Sequence, residues 1–292
     1  MIKEWIAEYN PQNEEETLAA LREILQEIAL AALSRTDFFK KAAFYGGTAL
    51  RIFHGLDRYS EDLDFSLLET NPSFSLTPYF SAITSEFEAL GIRVSIREKD
   101  KRIKTQVESA FLKTETIWQE LVLEDVVKQH GISSNKSVKI KIEIDRIPPL
   151  GFETEEKLLL RPFSFYANCF DLPSLFAGKL HALLFRKWKN RVKGRDWYDM
   201  EWYIRKGVPL NMHHFLNRAT ETKDWKGNSI NQEQILQLLT EKIKTVSIDA
   251  VKEDVKRFIQ DDEKLKIWSS EYFKDLIQLM KFDFNPKIQN QL

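Results

Sequence analysis

The spacing of apolar positions along the chain switches between helical and strand periods. In residues 14–34, EEETLAALREILQEIALAALS, Leu18, Leu21, Leu25 and Ile28 fall on one helical face, which predicts a long amphipathic helix. Asn13 stands where an N-cap is needed, with Glu16 three residues on as its capping-box partner. A short strand near residues 43–45 then runs into Gly46-Gly47, and residues 48–53 begin a second helix. Residues 62–67, DLDFSL, alternate as a strand with Leu63, Phe65 and Leu67 on one face. Residues 78–90 read as a helix, and residues 92–96, 105–113 and 138–144 read as strands. The clearest alternation is VKIKIEID at 138–145, closed by Pro148-Pro149.

From Asp171 onward the strand signals fade. Pro173 suits the first turn of a helix that continues through SLFAGKLHALLFRKW, and further helical patterns cover about 196–206, 231–245, 247–260 and 267–281. These elements predict an α+β class: an α+β half over residues 1–165, then an all-helical half over 166–292.

Composition removes several alternatives. Of 292 residues, 43% are hydrophobic and 30% charged, the balance of a folded globular chain. Lys and Arg number 43 against 44 Asp and Glu, a net charge of −1, so a nucleic-acid surface has to be a local patch. The lone Cys169 makes no internal disulfide and, without a CxxC, no thiolate zinc site. The start, MIKEWIAEYNPQNEEE, has no apolar signal region, and no apolar run of membrane length occurs, so the expected setting is the cytoplasm, away from membranes. The five histidines show no metal-binding spacing, and His213-His214 after Asn211 reads as a loop pair.

The candidate chemistry begins at FYGGTALRIFHGLDRYSEDLDFSL, residues 44–67. Gly46 and Gly47, between a strand and a helix, let the backbone approach an anion, and Thr48 adds a hydroxyl; an ordinary tight turn needs the same glycines. Asp62 and Asp64, two apart on a strand, project from one face about 6.6 Å apart along the backbone. A solvated edge tolerates two such carboxylates, and so does a strand that holds a divalent cation between them. On the later strand Lys139, Lys141, Glu143 and Asp145 share the polar face. Glu143 or Asp145 would supply a third carboxylate, completing a clamp for two magnesium ions, with Glu143 deeper within the apolar run.

Residues 179–195 hold seven cations and no acid: Lys179, Arg186, Lys187, Lys189, Arg191, Lys193 and Arg195. The interleaved Trp188, with Trp197 and Tyr198 just beyond, offers flat surfaces for bases, so the stretch is a candidate RNA-backbone surface as well as a basic helix end. Lys179 sits among Leu175, Phe176, Leu180 and Leu183, either snorkelling or aimed at an anion. Asp196 and Asp199, three apart, share a helix face and are placed to orient Lys179, accept a proton, or form surface ion pairs.

Taken together, GGTALR at 46–51, RYSEDLDF at 58–65, Lys179-Leu180 with Ala182-Leu183, and RDWYD at 195–199 resemble the AbiEii/AbiGii toxins, a branch of the polymerase-beta-like nucleotidyltransferases. The resemblance spans about residues 40–205 and implies a nucleotidyltransferase-like core, a small mixed sheet flanked by helices. It implies that Gly46, Gly47 and Thr48 hold an NTP triphosphate, that Asp62 and Asp64 ligate Mg2+, that Lys179 meets the triphosphate and that Asp196 is the last motif's carboxylate. Thr48 stands where the superfamily usually has serine. Arg51 and Arg58 are expected to neutralise phosphate oxygens bidentately. The implied activity moves an NMP from an NTP to a hydroxyl, as tRNA-modifying members do, in a toxin paired with an antitoxin of transcription-regulator type. A protein hydroxyl as acceptor and a silent nucleotide-binding module are the rival readings.

Overall fold

The structure, a computed structural model, describes residues 1–98, 116–123, 138–186 and 192–284. The expected strand at 105–113 lies outside them. Two compact units partition the chain: Met1–Gly55, Tyr59–Pro148 and Glu156–Cys169 form one, and Leu56–Arg58, Pro149–Glu155 and Phe170–Leu292 the other.

The first unit carries α1 (Ile2–Glu8), α2 (Glu14–Ser34), β1 (Ala42–Tyr45), α3 (Gly46–His54), β2 (Asp62–Leu67), α4 (Phe80–Ala89), β3 (Val94–Glu98), β4 (Thr116–Leu123) and β5 (Val138–Asp145). It is completed by β6 (Thr154–Leu159) and β7 (Phe165–Phe170), in a seven-stranded sheet of order β3-β4-β5-β2-β1-β7-β6. The sheet is mixed: β5 runs parallel to β2 and β7 parallel to β1, whereas β1–β2, β4–β5 and β3–β4 are antiparallel.

Register explains the two faces of this sheet. Phe44 lies opposite Phe65, Leu63 opposite Ile142, and Phe65 opposite Ile144, so the apolar positions of three strands share one side. All are fully buried together with Leu21, Ile24, Leu25 and Ile28 of α2. Each such side chain withdrawn from water contributes about 1.5–3 kcal/mol, and that burial commits the alternation to one register. Asn13 accepts the backbone N–H of Glu16 at 2.9 Å, the expected cap. The Glu16 carboxylate turns back to the N–H of Gln12, one residue earlier than a capping box requires.

The second unit carries α5 (Leu172–Phe185), α6 (Gly194–Arg205), β8 (Pro209–Asn211), α7 (Met212–Glu221), α8 (Gln232–Thr245), α9 (Ile248–Lys256), α10 (Ser270–Ile277) and β9 (Lys281–Asp283). Asp171 caps α5 by accepting the N–H of Ser174 at 2.9 Å, with proline in the first turn. Two features depart from the sequence reading. The short β8 and β9 pair in parallel, so this half is not purely helical. His213-His214 belongs to α7 and not to a loop, because the Asn211 side chain caps the helix by accepting the N–H of His214 at 2.9 Å. The boundary expected at 165/166 falls at the start of β7, and the first unit continues to Cys169. Among the described residues no helix is long and apolar enough to cross a membrane.

Candidate functional site

The polar face of the first unit's sheet gathers the carboxylates. In the parallel β2–β5 pair, Asp62 lies opposite Lys141, Asp64 opposite Glu143, and Ser66 opposite Asp145. Residues opposite one another in a ladder share a face, so Asp62, Asp64 and Glu143 project from the same side of neighbouring strands, which lie about 4.8 Å apart. Burial, together with the Asp64 charge, pushes the Glu143 carboxyl up to about 7, with the Lys141 ammonium opposing the shift. Lys141 and Glu143 form an ion pair. Asp145 is set apart: it is buried, and its Oδ1 accepts the backbone N–H of Ile147 at 3.2 Å. Glu143, rather than Asp145, stands across from Asp64.

The glycine turn lies against this face. Gly46 follows Tyr45, which is opposite Asp64, and has a φ of +86°. A Cβ added at Gly46 would overlap the Asp64 carboxylate, so only glycine fits. The helix α3 opens at Gly46 and ends at Gly55 in the left-handed region. Thr48 is placed differently from the expectation of a phosphate donor. It is fully buried, and its hydroxyl donates to the backbone carbonyl of Asp62, pinning α3 to the start of β2. Arg51 also has a protein partner: its Nε donates to Glu23 Oε2 at 2.8 Å, and its guanidinium stacks over Tyr59 at 4.7 Å.

A hard oxygen donor set suits Mg2+, which is commonly bound by one or two carboxylates while water and phosphate oxygens complete its octahedron. Asp62 and Asp64 meet that requirement. Among the described residues no three His, Cys, Asp or Glu side chains are grouped as a ready-made cation cage. The expected set of Asp62, Asp64 and Glu143 is brought to one face, with Glu143 engaged by Lys141.

In the second unit a buried ionic network surrounds Lys179. Arg58 is 1% exposed and binds Asp199 through Nε and Nη2, both at 2.6 Å. Arg58, expected to meet phosphate, has its two-pronged partner in a carboxylate of its own chain. Lys179 Nζ lies 2.8 Å from Asp199 Oδ2 and 3.7 Å from Asp196 Oδ1. Against the cost of burial, Arg58 and Lys179 hold the Asp199 carboxyl down at about 2. Asp199, which the sequence left as an orienting or proton-accepting group, is the hub; Asp196 is the more distant partner.

The basic stretch divides. Arg186 is exposed, Lys193 is half-buried with its ammonium pushed down to about 8 by burial, and Lys187, Lys189 and Arg191 lie outside the described residues. Arg186 and Lys193 line a cavity of about 660 Å³ with Asp196, Trp197 and Lys242. Arg195 packs its guanidinium over Phe258 at 4.0 Å. Trp197 and Tyr198 are 2% and 7% exposed and pack into the core, so neither is an open stacking surface.

The architecture has solved counterparts. JHP933 from Helicobacter pylori superposes with a TM-score of 0.50 at 18% identity, over 89% of this chain and 90% of that one. MenT4, a nucleotidyltransferase toxin from Mycobacterium tuberculosis, superposes at 0.50 with 16% identity, over 94% and 87%. No curated protein matches the chain in sequence. A family model described as nucleotidyl transferase AbiEii toxin, type IV toxin–antitoxin system, matches residues 28–285, a span that starts within α2 and ends just past β9. The chain therefore belongs to the AbiEii family of nucleotidyltransferase toxins.

Proposed function

We propose that this toxin transfers an NMP from an NTP to an acceptor hydroxyl, the 3′ end of a tRNA, in a Mg2+-dependent reaction in the cytoplasm. The observation that carries the reading is the register pairing of Asp64 with Glu143 beside Asp62, next to a turn that only glycine can make. Asp62 and Asp64 are the proposed holders of two Mg2+ ions, which supply Lewis-acid stabilisation of the charge gathering on the phosphate oxygens. The backbone of Gly46 and Gly47 receives the triphosphate at the start of α3, where N–H groups are unpaired. The acceptor oxygen attacks the α-phosphorus, the new P–O bond forms as the bond to pyrophosphate breaks, and Glu143 takes the hydroxyl proton. A carboxylate held near neutrality is matched to that task. Lys179, oriented by Asp199 and through it by Arg58, is assigned the triphosphate contact. Arg186, Lys193 and the neighbouring cations of 186–195 are assigned the RNA backbone, and an antitoxin of transcription-regulator type is the expected protein partner.

The test incubates the protein with each α-labelled NTP, Mg2+ and total cellular extract, then separates RNA from protein. Label in the tRNA fraction with pyrophosphate release is expected. Label confined to protein would remove tRNA as the acceptor, and nucleotide-dependent stabilisation without any label would leave only a binding module.

A further inference from the structure

The carboxylate face contains a cation of its own. Lys141 lies opposite Asp62 on the neighbouring strand and two residues before Glu143, so Asp62, Asp64, Lys141 and Glu143 occupy the four corners of one patch. Three are acids, and the fourth is ion-paired with Glu143. Both members of that pair are sheltered, with Lys141 29% and Glu143 19% exposed, and the Gly46 turn closes over Asp64. Water therefore screens the patch only in part, and three like charges on adjacent strands need a counter-charge whenever no metal is present.

We propose that Lys141 is the built-in counter-cation of this face, a positioning residue that neutralises Glu143 in the metal-free toxin and whose charge, across the ladder from Asp62, weakens divalent-ion binding at Asp62 and Asp64. The inference rests on assigning Asp62 and Asp64 to divalent-ion binding. Lysine suits the role because its ammonium is a compact charge on a flexible stem, able to leave a carboxylate without disturbing the strand. A neutral residue of similar length at 141 removes a positive charge from the edge of the metal's position. Affinity for the ion then rises, while the metal-free face loses its compensation.

Mn2+ serves as the probe, with free ion counted by electron paramagnetic resonance in the absence of nucleotide. Lys141→Met is expected to bind Mn2+ about tenfold more tightly than wild type, with Lys141→Arg close to wild type. Thermal melts provide the second measurement: Lys141→Met should melt lower than wild type without metal and gain more from added Mn2+. Equal or weaker Mn2+ binding by Lys141→Met, with wild type binding and Asp64→Asn not, would overturn the role of Lys141 alone. Absent binding by wild type, or undiminished binding by Asp64→Asn, would remove the metal assignment and this inference with it.

Discussion

Arg58 and Asp199 are separated by 141 residues in sequence and meet with almost no access to water. A buried pair of this kind contributes little net stability over a well-packed apolar pair, but removing one partner strands the other charge. Asp199→Asn is expected to lower unfolding free energy by about 3–5 kcal/mol in urea titrations, and Arg58→Met/Asp199→Leu to recover only part of that loss, because Lys179 keeps only the more distant Asp196, while leaving transfer impaired. Gly46→Ala combines a left-handed backbone with an overlap on Asp64, and should cost about 1–3 kcal/mol and abolish transfer. The sequence made Gly46, Asp62, Asp64 and Glu143 legible because short-range spacing decides which face each side chain takes. It could not show that Arg58 reaches Asp199, or that Thr48 bonds to the Asp62 carbonyl, since both facts depend on tertiary approach.

At the scale of elements, legibility followed the strength of the alternation. β2 and β5 carry apolar residues at every second position, so their ends and faces were readable. β6, TEEKLL, lacks that pattern, and β7, FYANCF, is interrupted by polar positions, so neither reads as a strand from sequence. The histidines of α7 read as polar loop residues in sequence, whereas His214 is fully buried between Phe152 and Phe170, at 5.6 and 5.8 Å. Burial, aided by the Arg218 charge, holds the His214 imidazole down at about 3 from its usual 6.5, and its Nδ1 meets the Leu150 carbonyl at 3.1 Å. The unfolded chain therefore takes up this proton before the folded one. The contribution of a neutral His214 is complete above about pH 6.5 and is lost as the pH falls from there toward 3. Melting temperature measured from pH 7.5 to 4.5 should decline on the acid side, and His214→Phe should flatten that decline.

For the whole molecule, a net charge of −1 meant that overall electrostatics pointed to no partner, and the functional reading came from motifs spread over both compact units. The four motifs that resembled AbiEii toxins cover about half the chain, and the family match runs from 28 to 285, taking in the helical tail whose sequence alone carried no recognisable motif. That tail folds around residues such as Trp268, whose indole N–H donates to Glu201 at 2.7 Å, a contact that no local periodicity encodes.

Transfer of a nucleotide through its α-phosphate, driven by the carboxylates of β2, is tested most directly by offering the same NTP labelled at the α- or the γ-phosphate, with tRNA and Mg2+, to wild type and Asp64→Asn. Label should enter RNA from the α-labelled NTP only, with a loss of at least about 100-fold in Asp64→Asn. Equal labelling by the two proteins, or label arriving from the γ-phosphate, would contradict that role for β2.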